Sequence, residues 1–489
     1  MKPYIILIFL VVLVFANSIH NSFVWDDYDL IVNNPKIDLS LREIPSIFFQ
    51  PQWKIVGLAD YRQDYYRPVG YLFWVINYKI WGLNPSGFHL TNIALHLLCS
   101  IILYRIGLML FNNEKVLSLV GASIFAVYPV HNEPVGKAAS GEVIFGFLVI
   151  LSLYLFLKEK RYASWITFFL ALLSKEAAVV LPFGLAILVY RRNNYRQWVA
   201  KIAPYFGLVG IYLILRMLIL DTIFGGTIVE QPLFTRVLTM AAATMDYIRL
   251  LIIPYPMSPF YPAKWYTGII EAKGITAPVF LILLAVIAFR LRKDRELFFL
   301  LIFTLLILAP VIWRVNTFPV GWDHVYIAER FLYVPAMSFS LFVSASVYKL
   351  VYDKQKTYFM VFGVLLIVIF SVITVNSNKM WKDNLTLFKK IVEESPDVGF
   401  AHNNLGNAYM LGSKYFEAIS EYRKAIALDK RNIEAYYNLG ISMDKVGLLN
   451  QAVYYYEFFY KNAPVQYNEQ KKIARERIDV FYNEMRRGK

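Results

Sequence analysis

The 489-residue chain is 58% hydrophobic and only 17% charged, which excludes an ordinary soluble globular protein and indicates a polytopic membrane protein. Its net charge of +15 does not indicate a nucleic-acid partner, because the basic residues form short clusters between apolar runs, as in cytoplasmic loops. These clusters are KEKR at 158–161, RRNNYR at 191–196, RLRKDR at 290–295 and YKLVYDKQK at 348–356. The single cysteine, Cys99, excludes an internal disulfide and a cysteine-based metal site.

A transmembrane helix needs about 20 apolar residues, and the chain offers about eleven candidate segments, some of them short. They lie near 3–19, 88–111, 116–131, 143–157, 162–174, 177–190, 201–220, 274–290, 296–312, 328–348 and 358–376. The first is also compatible with a cleaved signal peptide. Segments 68–82 and 236–253 fit better as helices on the membrane surface, since this assignment puts all four basic clusters on the cytoplasmic side. The sequence thus predicts an all-α membrane domain over 1–376, with a first outer loop at about 20–87.

The C-terminal region is predicted to be a separate soluble domain. NLGNAY at 404–409 recurs as NLGISM at 438–443, a shift of 34 residues that is typical of tetratricopeptide (TPR) repeats. We expect a linker over 377–394 and an extracytoplasmic TPR solenoid over 395–489. It consists of repeats 399–432 and 433–466 and a capping helix. Its concave surface would hold a peptide partner, or the solenoid would be purely structural.

Polar segments on the predicted outer side suggest a chemistry. The acidic pair Asp26 and Asp27 follows Trp25 at the membrane boundary, and Arg67, Lys175, Arg330 and His131 face the same compartment. Transfer of a sugar from a lipid phosphate needs a base for the acceptor hydroxyl and cations for the leaving phosphate. It needs no acid to protonate the leaving group, unlike glycoside hydrolysis. Glycosyl transfer from a lipid-phosphate sugar is thus one reaction that suits this pattern of charges.

Five strings, followed by the repeats, carry a resemblance that covers nearly the whole chain. They are FVWDDYDLIVNN, YYRPVGYLFWVINYKIWGLNPSGFHLTNIALHLL, YPVHNEPV, LLSKEAAVVLP and AERFLYVPAMSF. In this order they resemble the transmembrane-and-tetratricopeptide-repeat O-mannosyltransferases, members of the GT-C class. The resemblance implies a GT-C-like helical bundle. It also implies an inverting hexosyltransferase that moves mannose from dolichyl or polyprenyl phosphate to Ser or Thr hydroxyls outside the cytosol.

The resemblance also assigns residues. It implies Asp26 or Asp27 as the catalytic base, with Asp26 preferred, and Arg67, Lys175, Arg330 and His131 as donor-phosphate ligands. Supporting residues would be Glu133, Glu176, Glu329, His89 and Asn92. One departure follows HNEPV, where the relatives generally show an Arg and an acid and this chain has Gly141 and Glu142. No metal ligand is predicted, and Mg²⁺ or Mn²⁺ is compatible with the site but not indicated.

Structural interpretations stay open for each of these residues. Arg67 would pin a helix to lipid headgroups, Lys175 and Glu176 would neutralise each other, and Glu329 and Arg330 would form an ion pair. His131 and Glu133 would be ordinary loop residues, and His89 and Asn92 would hold helices together by hydrogen bonds.

Rival functions also stay open. They are transfer to an envelope glycan or lipid, a non-catalytic TPR scaffold in the membrane, and a transporter of lipid-linked sugar, which the absence of mid-span acids disfavours. The expected location is a bacterial inner membrane, or the endoplasmic reticulum if the source is eukaryotic, with the TPR domain outside the cytosol.

Overall fold

The computed structural model describes residues 2–56, 65–190, 195–222, 227–228, 231–268, 270–313, 317–318, 325–351 and 355–487. Parts of the predicted first outer loop at 20–87 lie outside these ranges, as do parts of 221–273 and 314–330, which the predicted order of spans also places on the outer side. The chain forms two compact units, Met1–Trp381 and Lys382–Lys489. Each is described below by itself.

The first unit is helical and contains two short antiparallel strand pairs. Its α-helices are α1 (Lys2–Phe15), α2 (Gln52–Ile55), α3 (Pro68–Trp81), α4 (Pro85–Leu110), α5 (Lys115–Ala126), α6 (Asn132–Gly136), α7 (Gly141–Leu157), α8 (Arg161–Ser174), α9 (Leu181–Val189), α10 (Tyr195–Leu220), α11 (Leu233–Ile252), α12 (Ala272–Leu291), α13 (Arg295–Trp313), α14 (Tyr333–Val351) and α15 (Lys356–Ser377). Strand β1 (Thr227–Ile228) pairs with β3 (Thr317–Phe318), and β2 (Tyr261–Ala263) pairs with β4 (Val325–Ile327).

Apolar helices coincide with the predicted membrane segments. Among the described residues, six helices are long and apolar enough to cross a membrane, and a seventh span results if the bent pair Pro129–Gly136 and Gly141–Leu157 is counted as one. Helices α1, α5 and α9 also match predicted segments but are shorter than a usual span. The all-α multi-pass prediction is therefore confirmed, while the count of eleven spans stays a prediction.

The first outer loop folds into a small core of its own with α3. Leu30 and Ile31 are buried in this core together with Tyr71 and Trp74 of α3. Ala139, from the segment between α6 and α7, completes it. Because apolar burial anchors the loop on both sides, the acidic residues just before Leu30 are held beside the segment that precedes α7.

Helices α7 and α8 pack against each other, and both run between the same two ends of the first unit. Helix α7 begins at Gly141 and α8 ends at Ser174, and these two termini share one end. Leu157 and Arg161 lie at the other. At 1.5 Å per residue, the 17 residues of α7 separate the two ends by roughly 25 Å. The basic clusters at 158–161 and 290–295 meet at the second end, where Arg161 and Arg295 line one cavity.

The second unit is the predicted solenoid. Its helices are α16 (Asn384–Glu394), α17 (Gly399–Leu411), α18 (Tyr415–Leu428), α19 (Ile433–Lys445), α20 (Leu449–Asn462) and α21 (Asn468–Arg487). Glycines lie where the paired helices cross, and a Cβ atom on Gly406 would approach the Tyr422 ring to 2.5 Å. The structure differs from the expected linker at 377–394, because α16 buries Leu387 and Phe388 and packs on α17.

Candidate active site

Five of the eleven predicted site residues line one open cavity of about 130 Å³ at the α7 N-terminal end. Among the described residues, four cationic and three acidic side chains line the cavity, along with aromatic and small residues. The charged residues are Arg67, Lys137, Lys175, Arg330, Asp26, Glu133 and Glu142. Residues from four separate segments of the chain thus converge here: the first outer loop, residues 133–142, the tip between α8 and α9, and residues 330–331.

Of the carboxylates that line this cavity in the described part of the chain, Asp26 is the most accessible. Its side chain is 40% exposed, against 11% for Glu142 and 2% for Glu133. It forms an ion pair with Lys137, whose ammonium also lies 5.8 Å from the centre of the Trp25 ring. Burial acts to raise the pKa of Asp26, but the charge of Lys137, helped by Arg330, outweighs it and lowers the pKa below its ordinary value. Asp26 is therefore ionised at neutral pH.

Asp27 plays a different part from its neighbour. It is fully buried, its Oδ1 accepts a hydrogen bond from the Ala139 backbone N–H at 2.8 Å, and its Oδ2 accepts one from the Val24 N–H at 3.0 Å. Burial raises the pKa of Asp27 to about 6, and the adjacent charge of Asp26 adds to this, although Lys137 acts in the opposite direction. Asp27 thus connects the first outer loop to the segment that carries Lys137.

We expect Asp27→Asn to destabilise the protein. An Asn side chain has one acceptor oxygen, so one of the two buried N–H groups would face an NH₂ donor. That costs about 1–3 kcal/mol in the free energy of unfolding. Thermal unfolding of the full chain in detergent measures the effect. Asp38→Asn is the matched control, since Asp38 pairs with Lys79 on the surface with a 63% exposed side chain. Equal unfolding temperatures for the two variants would contradict a stabilising role for the two backbone hydrogen bonds that Asp27 accepts.

The tip between α8 and α9 contributes Lys175 and Glu176, but not as a pair with each other. Lys175 Nζ lies 2.5 Å from Glu142 Oε1, with the Phe331 ring centre 4.7 Å away. Arg67 binds Glu176 through two hydrogen bonds of 2.6 and 2.9 Å. Burial lowers the pKa of Lys175, while Glu142 acts to raise it. The direct partner of Lys175 is therefore Glu142 and that of Glu176 is Arg67, while Lys175 and Arg67 both line the cavity.

Glu329 and Arg330 are adjacent in the chain, but each interacts with other residues. Arg330 forms an ion pair with Glu133 and turns toward the cavity. Glu329 is buried and accepts hydrogen bonds from Asn132 Nδ2 at 2.7 Å and from the Ser258 N–H at 3.0 Å. Glu133 and Glu329 thus hold the segment before α14 in place, and the Glu329–Arg330 pair considered from the sequence does not form.

His131, expected as a donor-phosphate ligand, does not line the cavity. Its side chain is fully buried, and its ring centre lies 5.0 Å from that of His96, 4.6 Å from Phe125 and 4.8 Å from Tyr333. The 3-10 turn Pro129–His131 directs this ring into the helix core while Glu133 faces the cavity. In the structure the His131 ring therefore packs against aromatic and histidine rings of the helix core.

His89 and Asn92, predicted as supporting residues, both hold loops by hydrogen bonds. His89 Nε2 donates to the Asn21 carbonyl at 3.1 Å. Asn92 Nδ2 donates to the Lys137 carbonyl at 2.9 Å. Asn92 fixes the backbone of Lys137 from one side as Asp27 fixes Ala139 from the other, so the two residues position the cation that pairs with Asp26.

Sequence reasoning missed two charged residues of the cavity, Lys137 and Glu142. Both lie just beyond YPVHNEP at 128–134, a polar segment that the predicted order of spans places on the outer side. Lys137 had a detectable signal, because it is a basic residue between two apolar segments that belongs to none of the four basic clusters. Among the described residues, no group of three or more His, Cys, Asp or Glu side chains has a metal-binding arrangement.

The sequence is similar to those of several known proteins that share one name. The chain is 26% identical to the Caenorhabditis elegans protein O-mannosyl-transferase F38B6.6 over 88% of its length and 63% of that protein. It is 24% identical to human protein O-mannosyl-transferase TMTC3 over 90% of its length and 53% of the relative. The chain is homologous to the protein O-mannosyl-transferases. It spans about half to two thirds of the length of these relatives.

Family profiles and a solved structure extend this comparison. Residues 406–447 match the TPR repeat family, and residues 68–252 match a family described as a predicted membrane protein, DUF2079. The crystal structure of an apo Archaeoglobus fulgidus oligosaccharyltransferase is similar with a TM-score of 0.41 and 15% identity. That similarity covers 81% of this chain and 58% of the archaeal one.

Proposed function

We propose that the protein is an integral-membrane, inverting glycosyltransferase that uses a polyprenyl-phosphate sugar and a hydroxyl acceptor. The single observation that carries the proposal is the cavity in which an accessible, ionised Asp26 lies among Arg67, Lys137, Lys175 and Arg330. One accessible carboxylate suits a base, and several cations suit a leaving phosphate.

The proposed step is a single displacement. The acceptor hydroxyl oxygen forms a bond to the anomeric carbon of the sugar while the bond from that carbon to the phosphate oxygen breaks. The phosphate leaves with the electron pair, and the hydroxyl proton moves to a carboxylate oxygen of Asp26. Because the two bonds change on opposite sides of the carbon, the configuration inverts. The cations neutralise the charge that develops on the phosphate.

Lys137 links the binding of the donor phosphate to the basicity of Asp26. Its ion pair lowers the pKa of Asp26, which keeps the carboxylate ionised but makes it a weaker base. A donor phosphate in the cavity would compete with Asp26 for the same ammonium. As Lys137 turns toward the phosphate, Asp26 regains basicity at the moment when the donor is in place. The donor would therefore bind before proton transfer.

Protein Ser or Thr hydroxyls and mannose are the proposed acceptor and sugar, since the homologues are named protein O-mannosyl-transferases. The repeats of the second unit would contribute a peptide-binding surface. We place the cavity on the extracytoplasmic side of the membrane. Two of the basic clusters typical of cytoplasmic loops meet at the opposite end of α7 and α8.

Radiolabelled donors test the proposal directly. Purified protein in detergent is incubated with polyprenyl-phosphate mannose, with polyprenyl-phosphate glucose as a comparison, and membrane extract as acceptor. Products are separated into protein, glycan and lipid fractions. Label in protein supports O-mannosylation, and label in glycan or lipid supports the envelope acceptors. No transfer of either sugar to any fraction would contradict a glycosyltransferase and favour a TPR scaffold.

The role of Lys175 has its own test. In Lys175→Met/Glu142→Gln, the cation is lost without leaving a buried carboxylate unpaired. We expect the donor KM to rise by roughly tenfold, because one phosphate contact is removed, while the acceptor KM stays constant. Glu142→Gln alone keeps the cation and is the matched control. An unchanged donor KM in the double variant would contradict phosphate binding by Lys175.

A further inference from the structure

Two adjoining cavities lie at the end of α7 and α8 opposite the candidate active site. The first measures about 410 Å³ and lies among the C-terminal ends of α7 and α9 and the N-terminal parts of α8, α10 and α13. The second measures about 330 Å³ and lies among α9, α10 and α13. Arg295, the first residue of α13, lines both, so the two form one basic crevice.

The charge of this crevice is strongly positive. Among the described residues, it is lined by one acidic side chain, Glu159, and four cationic side chains, which together give a formal charge of +3; the cations are Arg161, Lys201, Arg292 and Arg295. Glu159 lies 3.4 Å from Lys201 and therefore compensates one cation. This net positive lining favours a ligand that carries negatively charged oxygens.

The remaining walls are apolar and aromatic. Phe156, Leu157, Leu188 and Val189 line the first cavity, and the indole rings of Trp165 and Trp198 line the first and second. The Trp198 indole is fixed by a hydrogen bond of 3.0 Å to the Ala186 carbonyl. Aromatic side chains beside Lys and Arg, at the ends of apolar helices, are typical of the level of lipid headgroups. A free inorganic anion would leave these apolar walls without a partner.

We propose that the basic crevice binds an anionic phospholipid, with the phosphate against Arg161 and Arg295 and the acyl chains along the apolar walls. Phosphatidylglycerol is the simplest lipid with this chemistry. The site is separate from the candidate active site, since roughly 25 Å of α7 lies between them. In this proposal the bound lipid holds together the ends of the five helices that line the crevice, and it does not take part in the sugar-transfer reaction.

The test measures which lipid the full chain retains. Delipidated protein is incubated with equal amounts of palmitoyl-oleoyl phosphatidylglycerol and the zwitterionic phosphatidylcholine, and bound lipids are counted by native mass spectrometry. We expect preferential retention of phosphatidylglycerol. In Arg161→Gln/Arg295→Gln its affinity should fall roughly thirtyfold, at about fivefold for each charge removed near a phosphate. Arg42→Gln/Lys79→Gln removes the same charge elsewhere and should retain the lipid.

Three results would overturn the proposal. They are equal retention of the two lipids, unchanged phosphatidylglycerol binding in the crevice variant, and complete displacement of the lipid by millimolar inorganic phosphate, which would indicate a free-anion site. If the double variant unfolds, Arg161→Gln replaces it, because Arg161 is exposed. Its expected loss is then about fivefold.

Discussion

Asp26→Asn is expected to reduce sugar transfer by two to four orders of magnitude, the range over which a positioned general base contributes (roughly 10² to 10⁴). The amide keeps the shape of the carboxylate but cannot accept the hydroxyl proton. Asp26 is 40% exposed in the cavity and makes no bracing hydrogen bond like those of Asp27, so expression and membrane insertion should persist. The measurement is the initial rate with radiolabelled polyprenyl-phosphate mannose.

Two further variants make this result specific. Asp38→Asn removes a carboxylate from an exposed ion pair of the same loop and should transfer sugar at the normal rate. Asp27→Asn should lose stability first and activity only as a consequence. Donor binding should survive in Asp26→Asn, so kcat falls while the donor KM changes little. Normal transfer by purified Asp26→Asn protein would refute the assignment of Asp26 as the base.

Helix positions and the repeat register could be predicted from the sequence because each depends on a local pattern. Apolar runs of membrane length have no other stable arrangement in lipid, and the glycines at 406 and 440 must accept the rings of Tyr422 and Tyr456. The helix α16 escaped prediction because its buried face depends on packing against α17, and a polar segment between two domains shows no such partner in sequence.

The sequence predicted several of the residues that line the site better than it predicted which residues form ion pairs with each other. Arg67, Lys175 and Arg330 were expected beside Asp26 and line the same cavity. Which carboxylate each cation pairs with depends on how four segments of the chain meet in space. His131 shows the same limit, since one 3-10 turn decides whether its ring enters the core or the cavity. The division of labour between Asp26 and Asp27 depends on backbone N–H groups that no side-chain pattern records.

Lys137→Met should change the pH dependence of transfer as well as its rate. Burial alone would raise the pKa of Asp26, and the charge of Lys137 is the main influence that lowers it. Without that charge the pKa rises, and the base is ionised only at higher pH. The acid limb of the kcat/KM profile should therefore move to higher pH. The loss of a phosphate-stabilising cation should also lower kcat/KM roughly a hundredfold at neutral pH.

The pH profile separates this mechanism from a purely structural role of Lys137. A structural loss would lower kcat/KM equally at every pH, whereas loss of the ion pair displaces the limb toward alkaline pH. Lys137→Arg keeps the charge and should restore most of the wild-type profile, and Lys79→Met removes a surface cation and should leave it unaltered. An acid limb that stays in place in Lys137→Met would show that this ammonium does not set the basicity of Asp26. The exchange of Lys137 between carboxylate and donor phosphate would then have no basis.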